Sequence, residues 1–234
     1  MTRPSLARRA AAELAGTLLL LAAVVGSGIM GERLAGGSVG LALLANAIAT
    51  GAALAALILA FGPISGAHFN PAVTLADAWQ GGLPWRETPA YLIAQLCGAV
   101  LGVLLAHAMF GAEILQLSTH SRAGPAQMLS EFVATFGLLA VIWGCARNLT
   151  AAAAVPAYIM AAYWFTASTS FANPAVTIAR SLTDTFAGIR PRDAPGFIAA
   201  QCAGAAAATL LFRWLSPPLR EVSPEVVVPH QGPR

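Results

Sequence analysis

Two heptapeptides, NPAVTLA (Asn70–Ala76) and NPAVTIA (Asn173–Ala179), occur in the two halves of one chain, and each sits inside a longer pattern that also recurs. ELAGTLLLLAAVVGSG carries Glu13 with Thr17 four residues on, and EFVATFGLLAVIWG carries Glu131 with Thr135 four residues on. YLIAQLCGAVLG aligns with FIAAQCAGAAAA, which sets Gln95 on Gln201 and Gly98 on Gly204. A bilayer core needs about 20 apolar residues per helix. Six stretches meet that length: 8–28, 38–62, 89–110, 127–147, 151–169 and 195–215. Each half, about 8–110 and 127–215, therefore holds three full spans. Three is odd, so the second half enters the membrane upside down relative to the first. An inverted repeat of this kind places its working site between the halves, near the midplane. The apolar pieces after Asn70 and Asn173 break at Gln80 and Asp184 and are too short to span.

Composition agrees with a membrane assignment. The chain is 57% hydrophobic and 10% charged, where a soluble domain is about a quarter charged. Its 22 Gly and 15 Pro lie among apolar runs, and membrane helices are richer in both than soluble helices are. The net charge of +3 is small and scattered, so nucleic acid is not an expected partner. Cys97, Cys145 and Cys202 lie in apolar stretches without metal-ligand spacing and read as small buried hydrophobes. The five tryptophans read as interfacial or packing residues. Arg8 and Arg9 before an apolar run resemble a leader sequence, but the segment has a counterpart at Glu131, which argues for a retained first span. With the N-terminus inside, the cytoplasmic side collects Arg3, Arg8, Arg9, Arg86, Arg147, Arg213 and Arg220, and the outside collects Arg33, Arg122, Arg180, Arg190 and Arg192. The arginine bias thus predicts cytoplasmic termini in a multi-pass cell (inner) membrane protein. The Pro-rich tail, 216–234, reads as unfolded.

Asn is a strong N-cap and Pro suits the first helical position, so each Asn-Pro-Ala is a helix start. Asn70, Pro71 and Ala72 open one half-helix; Asn173, Pro174 and Ala175 open the other. Under the inverted symmetry the two meet N-terminus to N-terminus, with both positive dipole ends at one spot. The expected arrangement has each Asn side chain held by its own turn, with N–H donors aimed into a lumen. Such a site offers hydrogen bonds to a passing oxygen and repels cations.

ELAGT, SGAHFNPAV, AQLCGA, SFANPAV and AQCAGA together resemble the aquaporin (major intrinsic protein) family over residues 8–215. The resemblance implies an all-α membrane fold of six transmembrane helices plus two re-entrant half-helices, acting as a single channel domain. It also implies one pore per subunit, usually a homotetramer, in contact with membrane lipid and small neutral solutes and without a cofactor or metal. Asn70 and Asn173 match the family's pore asparagines. Glu13 and Glu131 match its buried glutamates, expected to accept backbone N–H bonds from the loops before the half-helices. His68 matches a loop histidine expected to serve packing. Most family members place Arg directly after the second Asn-Pro-Ala; this chain has Val176. Family spacing assigns the rest of the filter to Thr50, Ala161 and Ser170, with Ala162 and Ile159 as alternatives to Ala161. Arg180, one turn past Val176, is expected toward an outer vestibule and not at the filter. An uncharged, short-sided filter resembles that of the bacterial aquaporin-S group associated with arsenic resistance. That likeness implies a wide opening that passes glycerol and metalloid hydroxides such as arsenous acid, with methylated arsenicals and some water.

Two further classes compete. Ion-coupled secondary transporters also use inverted repeats and broken helices, but the acids within the spans, Glu13 and Glu131, have a packing explanation. A purely structural membrane protein would give the paired Asn no purpose. A water-selective or general small-solute pore is the nearest alternative to the aquaglyceroporin-like reading. No Ser-His-acid set, metal spacing or phosphate loop appears, and His107, His120 and His230 lie in unrelated contexts, so an enzyme is not expected.

Overall fold

The structure, a computed structural model, describes residues 3–145 and 151–216. The expected turn at 147–150 and the expected tail beyond Ser216 lie outside the described residues. The described residues form eight α-helices, one 3-10 turn and no strand. In order they are α1 (Leu6–Leu34), α2 (Val39–Ser65), α3 (Pro71–Gln80), α4 (Thr88–Phe110), α5 (Pro125–Cys145), α6 (Ala151–Phe165), α7 (Pro174–Arg180) and α8 (Ala194–Leu215). Pro191–Asp193 forms the 3-10 turn that leads into α8. α1, α2, α4, α5 and the segment ending in α8 are long and apolar enough to cross a bilayer. α6 is described over 15 residues.

Helix ends follow local chemistry. Ser5 and Ser38 cap α1 and α2 by accepting from Arg8 N and Leu41 N. α1 runs beyond the expected 28 because its last turn docks on α4: Arg33 Nη2 donates to the Phe110 carbonyl at 3.0 Å and stacks on that ring. α6 stops at Phe165, short of the expected 169. The Thr166 hydroxyl turns back onto the Ala162 carbonyl at 2.6 Å, and the Ser130 hydroxyl captures Ala167 N.

The repeat is visible in the packing: α1 lies on α4 as α5 lies on α8. The paired glycines sit at these crossings. A Cβ on Gly98 would run into the carbonyl of Leu14, and one on Gly204 into the carbonyl of Phe132. Backbones approach this closely only where one partner has no side chain, which is how small residues join membrane helices. The cysteines depart from expectation: Cys97 and Cys202 are exposed and Cys145 is half-buried. The inward face of α4 is taken by Gln95 and Gly98, so Cys97, two residues past Gln95, points away from the core. Trp79, Trp85, Trp164 and Trp214 are exposed, whereas Trp143 is buried with its indole N–H on Thr209 Oγ1.

Candidate functional site

The two half-helices begin against each other. Asn70 and Asn173 adopt nearly the same extended backbone, φ −153 ψ 118 and φ −159 ψ 114, and each caps its own helix. Asn70 Oδ1 accepts from Ala72 N at 2.9 Å; Asn173 Oδ1 accepts from Ala175 N at 3.0 Å and Val176 N at 3.3 Å. The amide nitrogens then cross to the other half. Asn70 Nδ2 donates to the Ala172 carbonyl at 2.7 Å, and Asn173 Nδ2 donates to the Phe69 carbonyl at 2.8 Å. This refines the expectation that each side chain is held by its own turn alone. The oxygen is held locally and the nitrogen ties the halves together. An amide nitrogen has two donors, so one N–H per Asn remains.

The loops that deliver the asparagines are strained in matching places. Ala67 and Phe69 precede Asn70 by three and one residues, and Ser170 and Ala172 precede Asn173 likewise; all four have φ between 48° and 50°, in the left-handed region. Non-glycine residues there cost roughly 1–2 kcal/mol each, so something must hold them. Glu13 does so on one side: Oε1 accepts from His68 N at 3.0 Å and Ser65 Oγ at 2.7 Å, and Oε2 accepts from Phe69 N at 2.7 Å. Glu131 does so on the other, accepting from Phe171 N and Ala172 N, both at 2.9 Å. Both glutamates are fully buried. A second layer completes each arm. Gln95 donates to Glu13 and to Thr74 Oγ1, and Gln201 donates to Glu131 and to Thr177 Oγ1. This gives the recurrent Thr of NPAVT and the recurrent Gln a shared role that aligning the halves did not reveal. The signal was present, since both residues recur at matched positions.

The same symmetry exposes a chemical difference between the halves. His68 and Phe171 are equivalent, two residues before each Asn, and Asp77 and Arg180 are equivalent, seven residues after. His68 bonds Thr74 Oγ1 at 3.1 Å through Nδ1, and its Nε2 lies 3.8 Å from Asp77 Oδ2. On the other side two guanidiniums lie over the Phe171 ring, with Arg122 at 5.0 Å and Arg180 at 3.5 Å from its centroid.

One cavity is bordered by both loops, both half-helices and α1, α2, α5 and α6. His68, Asn70, Asn173, Thr50, Ser170 and Val176 all line it, and most of the remaining wall is aliphatic, including Leu20, Val24, Leu54, Ile58, Leu138 and Val155. Ser170 Oγ is buried without a hydrogen-bond partner among the described residues. One assignment needs correction. Ala161 does not line the cavity; it is exposed on the outer side of α6, while Ile159 and Tyr163 face inward. Two residues turn a helix by about 200°, so a position between Ile159 and Tyr163 must face away. Tyr163 also donates its hydroxyl to Thr50 Oγ1 at 3.3 Å, which ties α6 to α2 at the wall. Arg180 is 2% exposed and lines the same cavity as Val176, so the wall carries a charge that the Thr50, Ser170 and Val176 set lacks.

The fold and the paired Asn-Pro-Ala site define a membrane channel of the aquaporin type. The model of the major intrinsic protein family matches residues 1–162 and 147–232, and the chain belongs to that family. It is 55% identical to the aquaglyceroporin AqpS of Rhizobium meliloti over 94% of this chain and 97% of that protein. It is 34% identical to aquaporin NIP1-3 of Oryza sativa subsp. japonica over 93% of this chain and 78% of that one. The X-ray structure of the aquaglyceroporin from Plasmodium falciparum superposes with a TM-score of 0.72 at 19% identity, over 92% and 99% of the two chains. The 55% likeness supports membership of the aquaporin-S group, and the chain is a channel, not an enzyme.

Proposed function

We propose that the cavity is the conduction path of a passive channel for small neutral hydroxylated solutes. These are glycerol and metalloid hydroxides such as arsenous acid and methylated arsenicals, with some water. The observation that carries this reading is the meeting of Asn70 and Asn173 on one mostly aliphatic cavity. Each has one amide N–H left for a solute oxygen, and both half-helix N-termini add positive potential. A neutral solute can exchange water for these donors, whereas a cation meets only positive ends. In this reading Thr50, Ser170 and Val176, with Ile159 and Tyr163 of α6, shape the narrow part. Val176 and Ser170 are short, which favours solutes larger than water. The name of the Rhizobium meliloti relative, an aquaglyceroporin, points the same way.

In the same reading residues 8–110 and 127–215 act as one channel domain. The protein assembles as a homotetramer in the inner membrane, with both termini in the cytoplasm, as the arginine bias indicates. The test is flux into proteoliposomes. Glycerol and arsenous acid should enter at rates linear in concentration and indifferent to a proton gradient. Saturable, gradient-driven uptake would replace the channel with a coupled transporter. Flux confined to water would replace it with a water-selective pore.

A further inference from the structure

Val176 leaves the position next to the second Asn-Pro-Ala without charge, yet a guanidinium reaches the cavity from one turn further on. We propose that Arg180 is the specificity-determining residue that supplies this pore's fixed positive charge and makes the outer narrowing a barrier to cations. The proposal deepens the channel reading above and rests on it.

Arg180 and Val176 are four residues apart on α7 and so share a face. Helical side chains lean toward the N-terminus and cover the turn before their own Cα. A long side chain at 180 therefore reaches back to the level of Val176. The structure has this arrangement: the guanidinium lies on the Phe171 ring, two residues before Asn173, and both Val176 and Arg180 border the cavity. Its Nε donates to the Ala187 carbonyl. Among the described residues no hydrogen bond engages its two terminal nitrogens. Ser170, which lines the same cavity as Arg180, also has a hydroxyl without a partner among the described residues.

Arg122 stacks on the same ring but has a different role. Its Nε bonds the Gly188 carbonyl at 2.8 Å, its Nη1 bonds the Ser168 carbonyl at 3.1 Å, and it does not line the cavity. Arg122 braces the loop and Phe171 seats Arg180. Apart from the ionisable His68, Arg180 is the one side chain on the cavity wall that carries charge, among the described residues. Its repeat equivalent, Asp77, does not line the cavity, so the charge on the wall belongs to one half of the repeat. The charge sits in a confined, largely aliphatic site where screening is weak. It therefore acts on a passing cation together with the dipole ends at Asn70 and Asn173, while neutral hydroxyl groups can accept from its free donors.

The test compares Arg180→Gln, Arg180→Met and Arg180→Lys with the unaltered protein in proteoliposomes. Potassium and proton leak and water and glycerol flux are read on the same vesicles. The ratio of cation to water flux should rise at least about tenfold in the Gln and Met variants and stay near the original in Lys, which keeps the charge. A merely structural arginine would change yield or all fluxes together and would not be rescued by charge alone. If Gln and Met fail to fold, Val176→Glu provides the second route. A carboxylate one turn away offsets the guanidinium and should raise the same ratio. An unchanged ratio in folded Gln or Met variants, or in Val176→Glu when those do not fold, overturns the assignment and leaves the channel reading standing. Unaltered vesicles that pass no neutral solute refute the channel reading and this assignment with it.

Discussion

Replacing Glu131 with Ala should weaken the whole fold more than it alters solute preference, and Glu13→Ala should do so to a similar extent. Glu131 receives three donors, from Phe171 N, Ala172 N and Gln201 Nε2. Glu13 receives four, from Ser65 Oγ, His68 N, Phe69 N and Gln95 Nε2. Side-chain donors can turn elsewhere, as Ser65 can toward the Phe61 carbonyl. The two backbone N–H groups of each loop cannot. A buried donor left without a partner costs about 1–3 kcal/mol, so each loop loses roughly 2–6 kcal/mol. The left-handed residues at Ser170 and Ala172 no longer have a carboxylate to hold them. For a chain of this size 1 kcal/mol shifts the melting temperature by about 2–4 °C, so a fall on the order of 10 °C is expected. Glu131→Gln keeps one acceptor oxygen and should lose about half as much. The assay is thermal unfolding of detergent-solubilised protein, with the ratio of glycerol to water flux measured on whatever reconstitutes. An unchanged melting temperature with a shifted flux ratio would refute the reasoning, because it would make Glu131 a solute ligand and not a brace.

Gly98→Ala and Gly204→Ala should each lower thermal stability by about 1–3 kcal/mol, because the new methyl meets a backbone carbonyl of the partner helix; Gly40→Ala, which meets nothing, serves as the control in the same melts. Val176→Arg should cut glycerol and arsenous acid uptake more than water uptake, since it narrows a short-sided stretch and adds a second guanidinium one turn from Arg180; equal loss of all three fluxes would mean that the pore is only plugged. Glu87, in the segment before α4, forms an ion pair with Arg9 at 2.9 Å, and the Arg9 guanidinium beside it, with the charge of Arg3, holds its carboxyl below the usual range. A depressed carboxylate stabilises fully above its unfolded pKa of about 4.3 and loses that contribution as pH falls through the folded value. Glu87→Gln should therefore cost about 1.5–3 kcal/mol uniformly between pH 5 and 8, and the gap should close in strong acid when melts are compared across pH.

Much of the site could be read from residues alone because the chain states it twice. Asn-Pro-Ala is a local instruction: an N-cap, a first-turn proline and a small residue start a helix wherever they fall. Two such starts inside three-span halves leave one arrangement, in which the ends meet. The glutamates were legible as acids at matched places, and the resemblance to the family supplied the expectation that they brace the loops. Where counting failed, it failed on helical phase. Ala161 came from spacing along the chain, but the face a residue presents depends on where the helix ends, and α6 stops at Phe165. Cys97 failed similarly, since an apolar segment does not say which side faces lipid.

The sequence by itself determined the membrane assignment, the duplicated inverted plan, the two helix starts and the matched acids within the spans. These follow from short-range chemistry and from the length of apolar runs, which no distant contact can change. The tertiary structure alone decided what crosses between the halves. Asn70 reaches the loop of Asn173 and Asn173 reaches that of Asn70, Gln95 and Gln201 each join a glutamate to a threonine, and Phe171 gathers two arginines from different segments. Each of these contacts depends on the relative placement of helices distant in sequence. That placement is set by how closely Gly98 and Gly204 let their neighbours approach, a distance that only packing in three dimensions determines.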